Sequence, residues 1–229
     1  MLKVLELFSG TGSVGKVAKS LDWEVLSLDL EIKADIQIDI MDWDYKQYPK
    51  DSFDIVWASP PCTYYSHLQY CWFGRKKKDG TIFTKEGLEE NRKESDKIIE
   101  RTLEIIEYFN PQLWFMENPA TGTLKKRDVV KDIPFYDVSY CMYSDWGYEK
   151  KTRIWTNKKG WNNLICDKTG ACGNMVGTLH NTNCGNTKRI KKARVLNGHK
   201  VDIGSFHGGT SKLDRYRIPP DLIYSLFLD

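Results

Sequence analysis

Cys62 follows two prolines in Ala58-Ser59-Pro60-Pro61-Cys62, where an apolar run comes to an end. Proline restricts the backbone, so the approach to the thiol is stiff. A second apolar run ends on Glu117-Asn118-Pro119. If the two runs are neighbouring parallel strands, thiol and carboxyl share one sheet edge. Such a pair suits a heteroaromatic ring: the thiolate adds to a ring carbon while the acid protonates a ring nitrogen. The thiol needs help to ionise, and Lys151 and Arg153 can supply the positive charge. A lone cysteine is by default a small buried hydrophobe; the companion Glu117 is what marks this one.

A second constellation opens the chain. A strand-like run leads into Phe8-Ser9-Gly10-Thr11-Gly12. A glycine-permitted turn there lets the backbone approach a ligand closely and aims N–H groups at an anion. Asp29 and Glu31 close the next strand, where a carboxylate can take two ribose hydroxyls. Asp39, followed by Ile40, closes a third and can accept from an adenine amino group. Phe8 offers its face to a purine. Phe8, Ser9, Gly10, Gly12, Asp29, Glu31, Asp39, Ile40 and Pro60 are therefore the residues expected around an adenosine-containing cofactor.

The elements that must position these residues follow from periodicity. Strands are expected over 2–8, 24–30, 35–40, 54–58 and 113–116. Val14, Val17, Ala18 and Leu21 recur at helical spacing over 13–21, and 86–109 reads as a long charged helix. Its apolar stripe is Ile98, Ile99, Leu103, Ile105, Ile106 and Phe109. A short helix closes the chain over 218–227, with proline in its first turn. Strands alternating with helices imply an α/β fold: a mostly parallel sheet with helices on both faces. Ligands in such folds gather at the carboxyl ends of the strands, where both constellations lie.

Of 229 residues, 41% are apolar and 28% charged, which excludes a disordered or low-complexity chain. No apolar run approaches the roughly 20 residues of a membrane span. The opening Met1-Leu2-Lys3-Val4-Leu5-Glu6 reads as the start of a strand and not as a signal peptide. Six cysteines without framework spacing point to a reducing, intracellular setting. The net charge of +3 conceals an asymmetry, because residues 1–149 sum to −7 and 150–229 to +10. Lys188, Arg189, Lys191, Lys192 and Arg194, with Arg75, Lys76, Lys77 and Lys78 after Cys62, are expected to contact phosphates. Between 158 and 205 periodicity fades, and a small irregular lobe is expected. Cys166, Cys172, His180 and Cys184 there could hold zinc, although their spacing is not that of a standard finger.

In order along the chain, Leu7-Phe8-Ser9-Gly10-Thr11-Gly12, Pro60-Pro61-Cys62, Glu117-Asn118 and Lys151-Thr152-Arg153 resemble the cytosine-5 DNA methyltransferases. The resemblance covers residues 1–157 and implies a Rossmann-like S-adenosylmethionine-dependent methyltransferase fold. It implies methyl transfer to carbon 5 of cytosine in DNA, with Cys62 attacking carbon 6 of a flipped-out base. Glu117 would hold and protonate N3, and Arg153 the exocyclic oxygen. Flipping costs a few kcal/mol, which positive and planar groups near Cys62, such as Tyr64, Tyr65 and His67, would offset. Residues 158–205 would form a reduced target-recognition lobe and 206–229 would return to the catalytic domain, in a chain acting as a monomer. Two departures stand out. Ala58-Ser59 replaces a glycine expected before the prolines, and Gly208-Gly209-Thr210-Ser211 only weakly resembles the family's closing Gly-Asn-Ser. The same chemistry on RNA, or a binder that has lost turnover, are the alternatives.

Overall fold

Four of the five residues of β1 (Lys3–Leu7) are buried, from Val4 to Leu7. A strand with no exposed face belongs inside a sheet covered on both sides. The structure, a computed structural model, describes residues 1–176, 179–182, 184, 194–196, 199–201, 210–211 and 213–229. After β1 come α1 (Ser13–Ser20), β2 (Glu24–Asp29), β3 (Ile36–Gln37), β4 (Ile55–Ala58), α2 (Lys85–Phe109), β5 (Leu113–Pro119), β6 (Phe135–Ser139) and β7 (Lys151–Thr156). These seven strands form one sheet in the order β3-β2-β1-β4-β5-β7-β6. β1 to β5 pair in parallel, and β7 runs antiparallel to β5. The chain moves from β1 to β2 and β3 on one side, then crosses to β4 on the other. That reversal is a switch point, and it opens a crevice at the carboxyl ends.

The register shows what each face packs against. Leu5 pairs with Val56, and Leu7 with Ala58, which pairs in turn with Met116. These side chains meet Ile99, Ile105, Ile106 and Phe109 of α2, with Trp43, Tyr45 and Phe53, in the main core. The alternate positions Glu6, Trp57 and Phe115 point the other way, and the Trp57 and Phe115 rings lie 5.4 Å apart. α1 sits on that face, because its Val14 and Gly15 amides reach the Glu6 carboxylate. Helices therefore cover both faces, as the alternation of strands and helices predicts.

α2 starts where Thr84 Oγ1 accepts from the Gly87 amide (3.0 Å) and stops at Asn110, which is left-handed. Its fully buried residues include Leu88 and Thr102 as well as Ile99, Ile105, Ile106 and Phe109. Ile98 and Leu103, expected in the stripe, lie half-buried at its edge. The third strand is shorter than expected: Asp39 lies past β3, and its Oδ1 accepts from the Met41 amide and turns the chain.

The chain divides into two compact units, Met1–Tyr136 with Thr152–Gly160, and Asp137–Lys151 with Trp161–Asp229. The second contains hairpins β8 (Met175–Val176) with β9 (Leu179–His180) and β10 (Arg194–Leu196) with β11 (His199–Val201), followed by α3 (Pro220–Leu228). α3 buries Leu222, Ile223 and Leu226, and Trp161 Nε1 donates to its Ser225 Oγ at 2.9 Å. Among the described residues, no helix is long and apolar enough to cross a membrane. Lys188, Arg189, Lys191 and Lys192 lie outside the described residues, and Arg194 is described only as backbone of β10.

Candidate active site

Beyond Ala58 the chain leaves the sheet through Ser59, Pro60 and Pro61, and Trp57 Nε1 steadies the exit by donating to Ser59 Oγ (3.0 Å). Cys62, half-buried, precedes a single 3-10 turn, and its carbonyl accepts from the Tyr65 amide (3.1 Å). Tyr65 anchors this loop. It is fully buried, and its hydroxyl donates to Asp96 Oδ1 of α2 at 2.9 Å. Burial and the Asp96 carboxylate push its phenol far above the ordinary range. Its carbonyl accepts from both the amide (2.8 Å) and the hydroxyl (3.1 Å) of Thr123. Arg127 grips Asp96 and Glu89 and so fixes Tyr65's acceptor. Tyr65, expected near the flipped base, is thus committed to the interior.

Glu117 and Asn118 end the buried part of β5. Asn118 Nδ2 donates to the Pro60 carbonyl (2.9 Å), tying the β5 end to the loop that carries Cys62. Met116 pairs with Ala58, so Glu117 stands at the carboxyl edge where β4 gives way to Cys62. β7 brings Arg153 opposite Asn118. The Arg153 guanidinium lies over the Phe135 ring, 3.5 Å from its centroid, which orients the planar cation. Cys62, Glu117 and Arg153 therefore gather at one end of the sheet. Lys151 is exposed, with Nζ 3.6 Å from Glu149 Oε1, and it is Arg153 that the register holds beside Asn118.

The glycine turn lies at the same carboxyl edge. Phe8, Gly10 and Gly12 all have positive φ (56°, 52° and 66°). For Phe8 this costs about 1–3 kcal/mol. Three of the turn's amides are spent within the protein, where the sequence predicts them aimed at a ligand. Ser9 N donates to Leu28 O, Gly10 N to Asp29 Oδ2 (2.8 Å) and Gly12 N to Ser9 O (2.7 Å). Asp29 Oδ1 accepts from the Glu31 and Ile32 amides. Asp29 thus latches the turn to the end of β2, and the exposed Glu31 is the carboxylate placed outward. Ile40 is a core residue whose carbonyl accepts from Arg101 Nε. Asp39 and Phe8 are half-buried, and a side chain added at Gly12 would meet no atom within 4 Å.

Sequence reasoning missed two residues beneath this turn. Glu6 is buried, and its two oxygens accept from Val14 N (3.1 Å) and Gly15 N (3.0 Å) at the start of α1. Burial pushes its pKa up to about 7 despite those two donors. A Cβ on Gly15 would lie 2.7 Å from Glu6 Oε2. Gly10, Gly12 and Gly15 stand at G-x-G-x-x-G spacing, whose third glycine permits close helix–strand packing; that spacing was the available signal.

Cys62 and Glu117, on adjacent parallel strand ends, both fall within a stretch that matches a known family; the glycine turn lies before it. Residues 18–189 fit the family model for C-5 cytosine-specific DNA methylases. The chain belongs to that family. It is 36% identical to "Probable DNA (cytosine-5)-methyltransferase" of Frog virus 3 (isolate Goorha), over 98% of both chains. Among solved structures it resembles the methyltransferase EhMeth of Entamoeba histolytica (15% identity, TM-score 0.47) and the Dnmt2 methyltransferase of S. pombe (14%, 0.45). Each likeness covers 72% of this chain, which spans about half the length of those structures (56% and 53%).

The segment after the Cys62 loop of this cytosine methylase is a small hairpin. Lys76 bridges Ile82, Lys77 N donates to Thr81 O, and Asp79 caps the tip through Thr81. Arg75, Lys76, Lys77 and Lys78 are all exposed on it. Arg75 lies over the Trp72 ring (5.1 Å) and Lys77 over Phe83 (5.7 Å). Leu68, Tyr70 and Trp72 are also exposed, an apolar and aromatic surface interleaved with cations. In the second unit Cys166, Cys172 and His180 converge, but the fourth member of the group is Cys141. Cys184, expected there, lies instead near Lys150 and Arg215.

Proposed function

We propose that this chain transfers a methyl group from S-adenosylmethionine to carbon 5 of cytosine in DNA, through a covalent bond between Cys62 and carbon 6. Family membership supports DNA cytosine-5 methylation in general. The observation that carries the finer reading is the Asn118–Pro60 bond, which couples the Cys62 loop to the strand end bearing Glu117.

The cofactor-side residues fit an adenosine. The exposed carboxylate of Glu31 suits the ribose hydroxyls, Asp39 the adenine amino group, and Phe8 one face of the purine. The open space beside Gly12 leaves room for the ligand, and Pro60 lines the neighbouring strand end. When bound, S-adenosylmethionine supplies an electrophilic methyl group.

The chain's own residues prepare the base. The Cys62 thiolate gives its electron pair to carbon 6, the ring's π pair moves toward carbon 5, and Glu117 delivers a proton at N3. Arg153 holds the exocyclic oxygen. Once carbon 5 has taken the methyl group, loss of its proton to solvent re-forms the ring double bond and expels the Cys62 thiolate, and N3 returns its proton to Glu117. The base must first leave the duplex, and the Arg75–Lys78 hairpin is suited to hold the phosphates around the gap. The basic run from Lys188 to Arg194 adds charge for the same partner. Free cysteines throughout suit a reducing compartment.

The test is incubation with methyl-labelled S-adenosylmethionine and, separately, duplex DNA and RNA, followed by base-resolution mapping. Label at carbon 5 of cytosine in DNA is expected. Label confined to RNA would move the activity to the other nucleic acid, and none on either would leave a binding protein.

A further inference from the structure

Within the second unit, four side chains from separate stretches point at one spot. Cys141 lies in the single turn after β6, Cys166 and Cys172 in an irregular segment, and His180 at the end of β9. Their ligating atoms all lie within 4.8 Å of one another. His180 Nε2 is 3.6 Å from Cys166 Sγ and 3.7 Å from Cys172 Sγ. Cys141 is in turn within hydrogen-bonding reach of the Cys166 and Cys172 sulfurs.

Hydrogen bonding alone does not account for this convergence. An imidazole Nε2 offers either one proton or one lone pair, and two thiols face it at nearly the same distance. Tetrahedral zinc, bonded to sulfur at ~2.3 Å and to nitrogen at ~2.0–2.1 Å, has sulfur–nitrogen edges of roughly 3.6 Å. The two observed distances are those edges. We infer that Cys141, Cys166, Cys172 and His180 bind one structural zinc ion, a closed three-cysteine, one-histidine site.

The surroundings fit a built site. Cys141 and Cys166 are buried. Asn174, also buried, stitches the ligand-bearing loops together: its Nδ2 donates to the carbonyls of Cys141 (2.9 Å), Ser144 (2.7 Å) and Cys172 (2.9 Å). Its Oδ1 accepts from the Gly147 amide at 2.9 Å. Residues 161–174 form no helix or strand, so few backbone hydrogen bonds hold them. Metal ligation contributes folding free energy to such a segment directly.

The test measures metal in the full-length chain purified under reducing conditions and reconstituted with zinc before desalting. About one zinc per chain is expected in the wild type and in Cys184→Ser, and a loss of most of it in Cys141→Ser and Cys166→Ser. Cobalt(II) loaded into the wild-type chain should give intense sulfur-to-cobalt charge-transfer bands and tetrahedral d–d bands. That spectrum needs no variant, so it decides the matter even if the substituted chains fail to fold. Wild-type protein that retains no zinc and gives no thiolate bands with cobalt overturns the inference. So does zinc content that follows Cys184 and ignores Cys141. Both readouts are independent of methyl transfer, so an inactive enzyme that binds zinc would separate this site from the proposed activity.

Discussion

Asn118 Nδ2 donates to the Pro60 carbonyl at 2.9 Å, and through this bond the strand end bearing Glu117 holds the loop bearing Cys62. Both partners are buried, and the bond crosses between the ends of adjacent parallel strands.

Asn118→Ala leaves the Pro60 carbonyl buried without its donor, so a stability loss of about 1–3 kcal/mol is expected. Displacing Cys62 relative to Glu117 should also lower kcat by about tenfold to a hundredfold, the scale of an ångström-sized misplacement. The Kd for S-adenosylmethionine should change less than kcat, because Pro60 is the one proposed cofactor-side residue that this bond holds. Single-turnover methylation and cofactor titration separate the two effects. A normal kcat in a destabilised variant would contradict the positioning role.

Much of this is legible in the sequence because the central strands are short apolar runs that end in diagnostic residues. Leu7-Phe8 and Ala58-Ser59-Pro60 mark two strand ends, β5 runs past the expected end at Met116 to Pro119, and the helix over 85–109 carries its stripe at regular spacing. β6 and β7 are not, since Phe135–Ser139 and Lys151–Thr156 mix polar and apolar residues, and only β6 lies at the sheet edge. The duties of Asp29 and Tyr65 are hidden for a different reason. A carboxylate at a strand end and a tyrosine after Cys62 show no structural duty in the sequence, and only the fold shows Asp29 accepting from Gly10 N and the Tyr65 hydroxyl donating to Asp96. Cys141 carries no mark of its role because its partners lie far along the chain, and metal-ligand spacing gives no signal across such a gap.

Glu6 gives stability a pH dependence whose sign is fixed. Its folded pKa is raised from 4.5 to about 7, so the folded chain holds this proton more tightly than the unfolded chain. Its contribution is full below the unfolded value and is lost as pH rises through about 7. At 1.36 kcal/mol per pKa unit, Glu6→Gln should gain on the wild type by roughly 3 kcal/mol between pH 4.5 and pH 8. Urea unfolding of both proteins across that range checks it. A stability difference independent of pH would show that Glu6 does not carry the shift.

The hairpin after Cys62 should act on DNA affinity and not on chemistry. Replacing Arg75, Lys76, Lys77 and Lys78 with alanine should weaken binding across sequences. The slope of log K against log salt should become shallower by roughly 0.9 for each phosphate no longer neutralised. The rate at saturating DNA should stay near wild type. Binding with an unaltered salt slope would assign these exposed charges to solubility.

The central claim is that Cys62 bonds to carbon 6 of cytosine, and DNA containing 5-fluorocytosine tests it most directly. Release of the enzyme needs loss of the carbon-5 proton, and fluorine cannot leave as a cation, so the adduct should accumulate. With S-adenosylmethionine present, the wild-type chain should stay joined to that DNA through denaturation, and so should Cys71→Ser, whose exposed thiol serves as the control. Cys62→Ser should give no adduct, because a serine hydroxyl is far less ionised than a thiol near neutral pH. Trapping that persists in Cys62→Ser, or its absence in the wild type, would contradict the account.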